Sequence, residues 1–159
     1  MNRHDIEDHL DHLDERITHW LASNAIVFLR ISLGIVFVWF GVLKLFPGLS
    51  PAQDLAANTI SVLSFGIVPA RISLPVLAIW ECLIGLGFLV GKFTRLTLAL
   101  LVLQMAGALT PLVLFPGQTF TWFPIAPTLE GQYIMKNAVL ISAGLVVGAT
   151  VRGGKLVPR

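Results

Sequence analysis

The sequence predicts an all-α fold: a polytopic membrane protein made of a four-transmembrane-helix bundle preceded by an amphipathic cytoplasmic helix. Three observations predict it. Of 159 residues, 55% are hydrophobic and only 13% are charged, more apolar side chain than a soluble core of this size can hide. Four segments, Ala25–Phe46, Ser73–Val90, Leu96–Phe115 and Tyr133–Val151, approach or reach the roughly 20 apolar residues that cross about 30 Å of hydrocarbon. The stretch before them is polar, with its few large apolar residues at helical spacing.

That stretch, residues 1–24, carries Ile6, Leu10, Leu13, Ile17 and Trp20 at spacings of 4, 3, 4 and 3, one stripe on a helix. Asp5, Glu7, Asp8, Asp11, Asp14 and Glu15 outnumber Arg3 and Arg16 there, which disfavours adhesion to anionic lipid through a basic face. A helix lying against the bundle or against a protein partner is expected. His4, Asp8, His12, Glu15 and His19 also fall on one strip with zinc-compatible spacing. A solvated polar face explains that strip more simply, and no metal site is assigned.

The transmembrane domain covers residues 25–152. The first span is expected to remain in the membrane as an anchor, since no removable leader precedes it. Pro47-Gly48 opens the first loop as a turn, and Ser50 before Pro51 predicts a short helix to about Ser64. Ser73 is the expected cap of the second span, with Pro75 in its first turn. Gly91 to Arg95 forms a tight basic turn, and Leu96–Phe115 is free of charge. The third loop sets Phe120, Trp122 and Phe123 among prolines, which predicts an ordered aromatic cap at the headgroup level. Leu156-Val157-Pro158-Arg159, with Lys155, reads as a thrombin-cleavage remnant. Without Lys155 and Arg159 the 11 basic residues become 9, equal to the 9 acids, so the net charge of +2 falls to zero and nucleic acid is not an expected partner.

Basic residues near span ends set orientation. Arg3, Arg16, Lys92, Arg95 and Arg152 fall on one side and Arg71 on the other, which predicts both termini in the cytoplasm and an inner-membrane location.

Much chemistry is excluded by absence. The single cysteine, Cys82, allows no disulfide, Cys-x-x-Cys pair or iron–sulfur site within the chain, and reads as a small packing residue. No histidine lies in a span to ligate haem. There is no P-loop, dinucleotide fingerprint, nucleophile elbow or His-Glu-x-x-His pair. No catalytic residue and no intrinsic cofactor is assigned.

What remains is charge inside apolar spans: Arg30 and Lys44 in the first, Glu81 in the second and Lys136 in the fourth. Each costs about 2.5–3.5 kcal/mol at mid-bilayer on insertion scales, so such residues face the bundle interior and find partners. At about 1.5 Å per residue, Glu81 lies roughly 10 Å and Lys136 roughly 5–8 Å below the outer surface, with Lys44 near the same end. The expected arrangement pairs Glu81 with Lys136 first and Lys44 second, at the floor of an outward cavity capped by the third loop, with Glu130 on the outer side of Lys136. A buried ion pair, a ligand- or proton-handling site and lysines snorkelling to water all fit these positions. Gln104, Arg30 and Asn137 are candidate polar lining, and Trp39 and Trp80 candidate stacking surfaces for a quinone ring. Gly34, Gly41, Gly87, Gly91, Gly144 and Gly148 are candidate helix-packing positions.

Leu29-Arg30-Ile31-Ser32-Leu33-Gly34, followed by Phe40-Gly41-Val42-Leu43-Lys44-Leu45, resembles the first helix of DoxX-like membrane proteins. Glu81-Cys82-Leu83-Ile84-Gly85-Leu86-Gly87-Phe88-Leu89-Val90-Gly91 and then Thr94-Arg95 resemble that family's second helix and turn. Thr128-Leu129-Glu130-Gly131-Gln132-Tyr133-Ile134-Met135-Lys136-Asn137 is similar to the segment leading into its last helix. The resemblance covers about Leu29 to Val151 and implies a four-helix bundle, with relatives linked to thiosulfate:quinone oxidoreduction, to a membrane redox complex with superoxide dismutase and a sulfurtransferase, and to cargo receptors of similar fold.

The leading functional expectation is therefore a non-catalytic or co-catalytic subunit of a membrane redox or stress-related assembly, holding a quinone or another small hydrophobic ligand between helices. A small-solute, anion or proton transporter using Glu81, Lys136 and Lys44 is one alternative. A scaffold recruiting a protein through the N-terminal stripe is another. The lipid bilayer is a partner in every case, and homo-oligomers stay open.

Overall fold

The computed structural model of the chain describes residues 3–46, 48–50 and 52–154, with side chains of residues 3–9, 11 and 152 excepted. The stretch 155–159, read above as a cleavage remnant, lies outside the described residues. Among the described residues, four helical segments are long and apolar enough to cross a membrane: His12–Leu43, Ala70–Val90, Thr94–Leu114 and Leu129–Ala149. The chain is thus an all-α multi-pass membrane protein.

Helix α1 runs without interruption over Arg3–Leu43, 41 residues. At about 1.5 Å per residue it is roughly 60 Å long, twice the hydrocarbon thickness. The polar stretch expected as a separate helix is therefore the first half of α1. No helix breaker separates Trp20 from Ala25, and Ser23 and Asn24 return their side chains to the His19 and Trp20 carbonyls at 2.8 Å each, keeping the helix intact. Its stripe does not dock on the bundle: Leu10, Leu13, Ile17 and Trp20 are 58%, 42%, 56% and 55% exposed. The Ile6 side chain lies outside the described residues. His12 and Glu15 stand 3.9 Å apart on the exposed strip, and His4 and Asp8 are among the side chains not described.

Helix α2 (Gln53–Leu63) begins later than Ser50 predicts, because Ala52 takes a left-handed conformation with φ 56 and occupies the cap position. Helix α3 (Ala70–Val90) begins a turn earlier than Ser73. Pro69 serves as its cap, a site where fixed φ suits and its own missing N–H costs nothing, and Ile72 and Ser73 donate to the Pro69 carbonyl. Ser73 is then an interior position. Helix α4 (Thr94–Leu109) continues after Thr110 into α5 (Pro111–Leu114). Beyond it come α6 (Pro116–Thr119) and a two-stranded antiparallel hairpin, β1 (Phe120–Trp122) with β2 (Ala126–Pro127). The fourth span is two pieces, α7 (Leu129–Met135) and α8 (Asn137–Ala149), meeting at Lys136.

Antiparallel α1 and α3 form the tightest pair. Gly34 lies on Gly85 and Leu89, and Gly41 lies on Ala78 and Cys82; a methyl on Gly85 would stand 2.6 Å from the Val38 amide nitrogen. Such close backbone approach needs small residues. Gly87 faces Thr97 of α4, and Gly144 and Gly148 of α8 receive Leu98 and Leu101. The core joins Leu33, Phe37, Ile84, Phe88, Leu101, Met105 and Val147, while much of the remaining apolar surface, such as Val113 and Val139, is exposed toward what would be lipid.

Candidate functional site

Glu81 points from the middle of α3 into the bundle and is 8% exposed. Lys44, one residue past the end of α1, reaches back to it, with Nζ 2.6 Å from Glu81 Oε2. Gln104 of α4 donates through Nε2 to Glu81 Oε1 at 2.7 Å. Three helices thus deliver one anion, one cation and one amide to a single point. A lone ion at this depth would be severely destabilising, and the pair plus the amide compensates both charges.

This corrects the expected pairing. Lys136 makes no ion pair among the described residues: it is exposed, and its ammonium lies 5.7 Å from the Tyr133 ring centroid, an amphipathic arrangement near the helix break. Helix α3 starts a turn early, which sets Glu81 about 16 Å below the helix start at 1.5 Å per residue, deeper than Lys136 reaches. Glu130 is exposed and holds no ion pair among the described residues. Its neighbourhood is structural: Thr128 caps α7, accepting from the Gly131 amide at 3.2 Å and donating to the Gln118 carbonyl at 2.6 Å, and Gly131 packs on the Thr119 carbonyl.

Above the Glu81 cluster opens a cavity of about 1010 Å³. Phe37, Phe40, Trp80, Met105, Ile134 and Leu140 contribute its apolar walls, and Lys44, Glu81, Gln104, Lys136 and Asn137 its polar points. The roof is α2, through Leu55, Ala56, Thr59, Ile60 and Leu63, and not the third loop, none of whose aromatic residues lines the cavity. That loop is ordered for another reason: Phe120 is buried and meets Phe123 edge-on at 5.2 Å between centroids, while Trp122 and Phe123 remain exposed. Sequence reading missed α2 as the roof. The signal for it in the sequence is the apolar spacing of Leu55, Ala56, Ile60 and Leu63 on a helix too short to span.

Of the proposed stacking surfaces, Trp80 lines the cavity, its Nε1 donating to the Leu100 carbonyl at 3.2 Å, whereas Trp39 is 65% exposed on the outside of the bundle. Gln104 Oε1 is buried with no hydrogen-bond partner among the described residues. An amide oxygen of this kind has acceptor capacity beyond the bond its Nε2 makes to Glu81.

Arg30 is far from this cluster. It sits roughly 20 Å along α1 from Lys44, at 1.5 Å per residue, and donates through Nη1 to the Phe88 carbonyl at 3.0 Å. Phe88 lies in the last turn of α3, whose carbonyls lack helical donors, so Arg30 caps that helix. Gly91, at φ 71, leaves the space that the guanidinium fills. Between Arg30 and Glu81 the facing buried side chains of α1 and α3 are apolar, Leu33 and Phe37 on the first and Ile84 and Phe88 on the second, with the Thr97 hydroxyl of α4 bonded to the Phe93 carbonyl.

No curated protein matches the chain, and no solved structure matches it. A family model described as DoxX matches residues 25–116, a region that includes α1 from its membrane half onward, α2, α3 and α4, together with Lys44, Glu81 and Gln104, and that stops short of Thr128–Asn137. As this match takes in more than half of the 159 residues, the chain belongs to the DoxX family.

Proposed function

We propose that this protein is a membrane subunit that binds a lipophilic molecule with a polar ring head, a quinone or quinol by chemical class, and serves a redox or stress-related assembly without catalysing a reaction alone. One observation carries the reading: an apolar cavity of about 1010 Å³ that ends on Lys44, Glu81 and Gln104. Cavities of this size with few, convergent polar groups suit small-molecule ligands. Lys44 has three N–H donors and spends one on Glu81, leaving donors for a ring carbonyl. Gln104 Oε1 is an open acceptor for a ring hydroxyl. Trp80 offers a flat wall beside them, and the apolar remainder accepts a hydrocarbon tail.

In the orientation favoured by the basic residues, this cavity belongs to the outer half of the inner membrane, with both termini in the cytoplasm. A transport role is less well supported, because a polar route from Glu81 toward the opposite end meets the apolar core at Phe37, Ile84 and Phe88.

The test uses Gly107, which lines the cavity and where an added side chain meets open space. A short-chain ubiquinone analogue titrated into the purified protein in detergent should quench tryptophan fluorescence saturably. Gly107→Phe should fold with unchanged thermal stability and bind at least about tenfold more weakly, a loss of 1.4 kcal/mol. Linear quenching that is identical in both proteins contradicts the reading.

A second reading is favoured by the exposed Leu10, Leu13, Ile17 and Trp20: the same subunit attaches to a protein partner through the projecting half of α1. Leu13→Asp and Ile17→Asp should then abolish co-purification from native membranes while leaving ligand quenching intact; retention of every co-purifying protein contradicts it.

A further inference from the structure

At the end of the bundle opposite the Glu81 cavity, a second crevice of about 730 Å³ lies between α1, the Gly91–Phe93 turn, the start of α4 and the end of α8. Among the described residues its charged lining is entirely cationic, Arg30, Lys92 and Arg95, with no aspartate or glutamate. Arg30 is fixed by its bond to the Phe88 carbonyl, which uses one of five guanidinium donors, and is held in place by the glycine at 91. Lys92 and Arg95 are exposed and have no ion pair among the described residues.

The backbone adds to this field. Helix α4 is 16 residues long and its first turn has no side-chain cap. The amides of Thr94, Arg95 and Leu96 have no helical acceptor, these three residues line the same crevice, and the positive end of the helix dipole favours an anion there. Flanking the cations, Val27, Phe93 and Leu96 are 46%, 69% and 60% exposed, an apolar rim that a soluble anion would not use.

We infer that this crevice binds the phosphate group of an anionic phospholipid, with Arg30 as the fixed donor at its base, Lys92 and Arg95 closing over the headgroup, and the acyl chains lying on the apolar rim. The shared chemistry is that of any phosphate, and the apolar rim selects the lipid form. The site is independent of the quinone reading, since no residue lines both cavities.

The full-length protein in a neutral detergent is titrated with phosphatidylglycerol, with phosphatidylcholine and with inorganic phosphate, and bound lipid is counted by native mass spectrometry alongside the thermal unfolding midpoint. One phosphatidylglycerol should bind saturably and raise the midpoint, with phosphatidylcholine and inorganic phosphate having little effect at equal concentration. The variant Lys92→Gln/Arg95→Gln should bind phosphatidylglycerol roughly 30-fold more weakly, from about 1 kcal/mol per basic residue at a membrane surface. Arg71→Gln, which removes an exposed charge at the other end, should bind as wild type. Equal loss in Arg71→Gln, undiminished binding in the double variant, or an equal response to phosphatidylcholine or inorganic phosphate would each overturn the inference.

Discussion

The two ends of the bundle handle buried charge in opposite ways. At the Glu81 end an acid meets a base, and an amide completes the acid's hydrogen bonds, so the cluster is neutral and compact. At the Arg30 end the cation meets only a helix-terminal carbonyl, and two more cations stand nearby without an acid. The first arrangement is self-sufficient and leaves single hydrogen-bonding atoms for a ligand. The second keeps an excess of positive charge, which is open to an anion from outside. Residue type alone does not separate them, since each is a basic side chain, one within α1 and one just past its end; what separates them is whether α3 presents a carboxylate or a chain end at that level.

Removing one member of the compensated pair should have the largest effect. Glu81→Leu strands the Lys44 ammonium in the bundle and should destabilise the protein by about 3–5 kcal/mol, read as thermal or denaturant unfolding in detergent. At the other end, Arg30→Met removes a cap but leaves no charge stranded, so its cost should be smaller, about 1.5–3 kcal/mol for a hydrogen bond from a charged donor. A cost for Arg30→Met equal to that of Glu81→Leu would erase the distinction.

Packing comes next. Gly85→Ala drives a methyl into the Val38 backbone, and overpacking there should cost about 1–3 kcal/mol. Gly107→Ala, which meets open space, should cost nothing in packing and gain up to about 1 kcal/mol from helix propensity. Smallest is the effect of Leu13→Asp on the projecting half of α1. An exposed position away from the bundle should shift stability by no more than about 0.5 kcal/mol, and a large loss would show that the stripe is docked after all.

Sequence reading found the four spans and the ionisable residues within them, because a long apolar run and a charge inside it are strong signals in a bilayer. It named Glu81, Lys44 and Gln104 but misjudged their pairing. Ser73 as the cap places Glu81 roughly 10 Å deep, whereas the cap that decides its depth is Pro69. Lys136 looked equivalent to Lys44 because both lie near the same end, yet α7 and α8 break at Lys136 and free its side chain toward Tyr133. Among the glycines, Gly34 and Gly41 were recognisable from their spacing along with Lys44. Gly85, which faces Gly34, carries no such spacing signal, while Gly87 and Gly91 serve other contacts: one faces Thr97 and the other admits Arg30. The single break-free α1 was hidden by composition, since the change from polar to apolar at Ala25 resembles a boundary although the helix hydrogen bonds continue through it.

The central claim, that α3's carboxylate is satisfied by Lys44 and leaves Lys136 free, is tested most directly by two double-mutant cycles on unfolding free energy in detergent. One combines Glu81→Gln with Lys44→Met and the other Glu81→Gln with Lys136→Met. The account predicts a coupling of about 1–3 kcal/mol in the first cycle, the range for residues in direct contact, and additivity within about 0.5 kcal/mol in the second. Coupling in the Lys136 cycle with additivity in the Lys44 cycle would contradict it.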